Sequence, residues 1–72
     1  MVIKKNDDVK WINKDIAFHT VTSITKEKII DNFFNSGILA PGSDFSFQFE
    51  DTGDFIYFDT IHPWIKGSIS VK

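Results

Sequence analysis

Apolar and polar residues alternate along most of the chain, and the period is two. Val9 and Trp11 alternate with Lys10 and Ile12, and Phe45, Phe47 and Phe49 alternate with Ser46 and Gln48. Side chains two apart point to the same face of a strand, so these rows predict strands with their rings turned toward one core. Phe55 and Tyr57 alternate with Ile56 and Phe58, apolar on both faces. That pattern predicts a central strand covered on both sides or half-buried at an interface. Ile69 and Val71, set between Ser68 and Ser70, predict a last, half-exposed strand. Turn-forming clusters fall between the runs at Asn6-Asp7-Asp8, Asn13-Lys14-Asp15, Ala40-Pro41-Gly42-Ser43 and Asp51-Thr52-Gly53-Asp54. Short strands at this spacing predict an all-β sandwich or barrel. Residues 25–32 lack the alternation, and with Thr25 as a candidate N-cap they predict one short helix inserted on the β scaffold.

A length of 72 residues allows a single domain, 1–72. The chain has no cysteine, so neither disulfides nor a zinc–thiolate site can staple so small a core. Stability must come from packing, from a metal held by nitrogen and oxygen, or from a partner. Eight Phe, two Trp and one Tyr make the sequence too apolar for a disordered tail. Eight lysines against ten acids give a net charge of −2, which argues against nucleic acid as the main ligand. No apolar run approaches the ~20 residues that span a bilayer, and Met1 to Lys5 carry no signal-peptide core. The chain is therefore expected to be soluble, with no membrane span.

The candidate chemistry rests on His19 and His62, the only histidines, and on Asp59. Asp59 continues the Phe55, Tyr57 row, so its carboxylate points where those rings point, and a carboxylate aimed at a core needs a partner. His62 follows three residues later across a bend at Thr60-Ile61, and His19 follows the loop from Asn13 to Phe18 and opens the predicted strand His19-Thr20-Val21-Thr22. Together they offer two imidazole nitrogens and one oxygen to a metal. The same donors describe the facial triad of non-haem iron oxygenases, but a sandwich this short is expected to lack the volume of a substrate pocket. The serines have no neighbouring histidine to act as base, so no hydrolytic centre is expected and the chain is not read as an enzyme.

Four segments resemble the cupredoxins, the small copper proteins of the plastocyanin and amicyanin type. They are Asp8 to Asp15, His19 to Ser23, Phe34 to Gly42, and Gly53 to Gly67, the last reading Gly-Asp-Phe-Ile-Tyr-Phe-Asp-Thr-Ile-His-Pro-Trp-Ile-Lys-Gly. The resemblance implies a Greek-key β-sandwich that binds copper and transfers electrons. His19 falls on the family's first histidine ligand and His62 on its second; Asp59 takes the place of the cysteine and Ile65 that of the axial methionine. Both sulfur ligands are replaced. The backbone N–H of Thr20 is expected to point at Asp59, and Ile65 to form an apolar wall above the metal. Phe18, Pro63 and Trp64 resemble the rim through which cupredoxins dock redox partners. The family is usually found outside the cytoplasm.

A His/Asp/His site without sulfur favours Cu(II), with Zn(II) as competitor, because carboxylate is a hard ligand. The alternative reading is a metal-free structural or protein-interaction module in which the three side chains form a hydrogen-bonded cluster. The resemblance also starts late in the family's pattern, so the first strand is expected to be missing. That would leave an open edge for homo-oligomers or for another chain.

Overall fold

The computed structural model describes residues 1–72 and consists of seven strands joined by turns and loops. They are β1 (Val2–Ile3), β2 (Asp8–Ile12), β3 (Thr22–Ile24), β4 (Ile30–Asn35), β5 (Asp44–Gln48), β6 (Gly53–Phe58) and β7 (Lys66–Val71). Five strands form one sheet in the order β1-β7-β6-β3-β4, and β2 and β5 pair as a two-stranded sheet against it. All pairings are antiparallel except β1 with β7.

The alternating rows settle into the two inner faces. Val9 on β2, Phe34 on β4, and Ile69 and Val71 on β7 are buried with Val21, Leu39 and Phe49. Trp11, Phe45, Phe47, Phe55 and Tyr57 pack around them. Trp11 stacks on Phe34 and Phe45 at centroid separations of 5.5 and 5.7 Å and meets Tyr57 edge-on at 5.4 Å. These contacts tie the small sheet to the large one through aromatic area. β6 has β7 on one side and β3 on the other, which is the central position its doubly apolar pattern predicts.

The short helix expected near residues 25–32 does not form. Thr25 to Ile29 make a tight hairpin turn instead: the Lys28 N–H donates to the Thr25 carbonyl at 2.9 Å, the Thr25 N–H donates to the Ile29 carbonyl at 2.8 Å, and Lys28 has φ of 67°. A helix of one or two turns bears the full cost of nucleation with little propagation to offset it. Thr25 does cap, since its hydroxyl accepts the Ile29 N–H at 3.2 Å, but it caps a turn. From Ile30 the chain runs as β4 against β3, with Asn32 at φ of 56° and a register irregularity between Thr22 and Ile24. That irregularity is why no alternation marks the strand.

The first edge is also not bare. Val2 and Ile3 pair with Ser70 and Val71 as β1, a stub that covers only the end of β7. The outer edge of β2 has no neighbouring strand.

Candidate metal centre

Two loops meet at one end of the sandwich, and short-range hydrogen bonds shape each of them. In the loop after β2, Asn13 is buried and its amide donates to the carbonyls of Ala17 and Leu39, both at 2.9 Å, while its Oδ1 accepts the Asp15 N–H at 2.9 Å. One side chain thus folds the loop and fastens it to the Leu39 segment. The strand expected to open at His19 begins only at Thr22; His19 itself is held by an isolated bridge to Leu39, with N–H···O distances of 3.1 and 2.7 Å, which fixes where it emerges. In the second loop the Asp59 N–H donates to the Ile65 carbonyl at 3.0 Å and the Ile65 N–H to the His62 carbonyl at 2.9 Å. The loop between β6 and β7 is therefore closed on itself.

Asp59 is 2% exposed, as its place in the inward row predicts. Its Oδ1 accepts the N–H groups of Thr20, Ile61 and His62 at 3.1, 2.9 and 3.2 Å. Its Oδ2 faces Nδ1 of His19 at 2.5 Å and Nδ1 of His62 at 3.4 Å. His19, Asp59 and His62 each present a donor atom within 4.8 Å of the others. The two imidazole rings lie 4.8 Å apart between centroids. Thr20 adds a second tie: its hydroxyl accepts the Thr60 N–H at 2.8 Å and so locks the β6–β7 loop to the strand that follows His19.

Asp15 is the residue that sequence reasoning missed. Its Oδ2 lies 2.9 Å from Nε2 of His19, so each ring nitrogen of His19 has its own carboxylate. The hydrogen bond with Asp15 is the largest influence raising the His19 pKa above 6.5, with Asp59 next and burial working against both. The same bond holds Asp15 below the ordinary carboxylate value. For Asp59, burial pushes the pKa upward, but the His19 hydrogen bond and the three backbone N–H groups outweigh it and bring the carboxyl down to about 2. The spacing of Asp15, four residues before His19, is the one signal that was available in the sequence.

The outlying expected residues surround this cluster. Trp64 is 72% exposed and meets His62 edge-on at 5.2 Å; Phe18 and Pro63 are exposed as well. Ile65 is 44% exposed and lines a cavity of about 440 Å³ together with His19, Asp59, Trp11 and Tyr57. An Ile that opens onto a cavity does not by itself seal the site from water. The cavity also corrects the expectation that so short a sandwich has no such room: a two-stranded sheet does not cover all of a five-stranded one.

A small β-sandwich with two histidines and one acidic side chain gathered between the loops at one end defines a class of protein, and comparison with known proteins agrees. The fold superposes on a purple cupredoxin from Nitrosopumilus maritimus with a TM-score of 0.96 and 32% identity, covering 100% of this chain and 76% of that one. It superposes on a Cu(I) form of a mutant amicyanin with a TM-score of 0.86 and 25% identity, covering 100% of this chain and 68% of that one. In sequence it is 25% identical over 72 residues to the amicyanin of Paracoccus versutus, of which it spans 54%, about half the length. No family model matches the chain. The chain belongs to the cupredoxins.

Proposed function

We propose that the chain binds one copper ion through His19, Asp59 and His62 and works as an electron carrier rather than an enzyme. The observation that carries this reading is the pair of carboxylates on His19. Asp15 faces Nε2 and Asp59 faces Nδ1, and a neutral imidazole has a proton for only one of them. If Nε2–H donates to Asp15, the Nδ1 lone pair confronts the Asp59 carboxylate, an arrangement that calls for a cation between them. That cation is a proton in the metal-free chain and a metal ion in the loaded one. The donor set fits copper: two imidazoles and a carboxylate within 4.8 Å of one another, which metal–ligand bonds of about 2 Å span after small side-chain rotations. Asp15 then acts as the outer carboxylate that fixes the His19 tautomer and raises its basicity.

Copper supplies one-electron exchange when bound, and a hard carboxylate in place of a soft thiolate favours Cu(II), with Zn(II) the competing ion. The buried Asp59 holds the negative charge, the His62 ring lies toward the surface, and Trp64, Phe18 and Pro63 form the rim against which a redox partner docks. The open edge of β2 is where a second copy associates. The second reading, a metal-free interaction module, has its own support, because every buried polar side-chain atom already has a hydrogen-bond partner. Calorimetric titration of the metal-free protein with Cu(II) separates the two. One tight equivalent, lost in Asp59→Ala, is expected; weak binding, or binding indifferent to that substitution, favours the module.

A further inference from the structure

The outer face of the large sheet carries a second feature, which deepens the electron-carrier reading by giving the chemistry of the partner. Phe55 and Tyr57 pack into the core, so Ile56 and Phe58 alternate outward. With Ile24, paired to Ile56 across β3 and β6, they floor a groove of about 320 Å³. Lys26 and Lys28 on the β3–β4 turn and Lys66 at the start of β7 form its rim, and no acidic side chain lines it. Lys10 is the one lysine held in an ion pair, with Asp44 at 3.6 Å, so the three rim ammoniums are free. In a chain of net charge −2, three of eight lysines surround one apolar floor. The groove complements an anionic surface that also presents an apolar group.

Its position favours a protein over a small molecule. Pro63 closes one side of the groove, and Pro63 lies between His62 and the exposed Trp64 on the loop that carries the candidate metal ligands. Pro63 thus belongs both to the groove and to the loop that carries His62. We propose that the groove rimmed by Lys26, Lys28 and Lys66 docks an acidic protein partner and steers it to the His62 edge. Attraction between opposite charges raises the encounter rate and sets orientation, and both effects weaken as salt screens them.

The test is an amide chemical-shift titration of the metal-free protein with a short synthetic peptide of alternating glutamate and phenylalanine, a lysine–phenylalanine peptide serving as control. Because no metal is involved, failure of copper binding leaves this result intact, and failure here leaves the copper site intact. Shifts confined to residues 24–28, 56–58 and 63–66 are expected, with affinity falling as salt rises and dropping about tenfold in the double variant K26E/K28E. Both substitutions lie on exposed turn positions, so the rest of the spectrum should hold. Shifts elsewhere, an equal response to the lysine peptide, or indifference to K26E/K28E would overturn the proposal. So would a groove that takes decanoate and ignores the peptide.

Discussion

Asp59 carries a charge that its position does not favour, and its neighbours decide what that charge does. Three N–H groups and the His19 imidazole hold it, which is why its carboxyl is brought down to about 2 in spite of burial. In the metal-free protein this has a definite pH signature. The lowered Asp59 pKa contributes stability that is present above about 3.8 and disappears as pH falls through about 2. The raised His19 pKa contributes stability that is full below 6.5 and is lost as pH rises through the folded value. Thermal melts of the metal-free protein should therefore peak between those limits and decline on both sides; a melting temperature still rising above neutral pH would contradict the pairing. Asp59 and His62 were legible in the sequence because a period-two row and a three-residue bend fix their relation, and His19 through the resemblance. Asn13 and Asp15 were not, because their roles depend on how the loop from Asn13 to His19 folds back on itself, which no periodicity records.

Strands with clean alternation were readable, and those with irregular backbone were not. β2, β5, β6 and β7 follow directly from rows of aromatic and β-branched residues. β4 was hidden by a left-handed Asn32 and a slipped register, and the hairpin turn before it resembled the start of a helix. The pairing of β6 with β7 depends on a close approach at Tyr57 and Gly67, which face each other across the ladder. A Cβ at Gly67 would meet the Tyr57 ring and hydroxyl at less than van der Waals separation. That ring is also held edge-on by Trp11, so it cannot move aside freely. Gly67→Ala should cost about 1–3 kcal/mol as an overpacking substitution, read from the denaturant midpoint. A midpoint equal to that of the unsubstituted protein would show that the ring has room to move.

The molecule as a whole is an unequal sandwich. A two-stranded sheet lies on a five-stranded one, leaving the outer edge of β2 unpaired, Ile12 at its end 52% exposed, and the cavity beside His19 and Asp59 uncovered. Unpaired edges with exposed apolar residues favour association. Sedimentation should accordingly detect a species larger than the monomer that grows with concentration and recedes in Ile12→Lys; a monomer throughout would mean that the edge is tolerated as it stands. The β class and the placement of the site at one end were readable from sequence, because both rest on alternation and turn chemistry. The unequal layers were not, since a count of strands does not say how they divide between sheets. A copper site built without sulfur at this end of the molecule is tested by pulsed electron paramagnetic resonance of the Cu(II)-loaded protein. Modulation from the imidazoles of both His19 and His62 is expected, with no thiolate-to-copper absorption in the visible spectrum. Copper that shows no imidazole coupling, or the same coupling after His62→Ala, would contradict it.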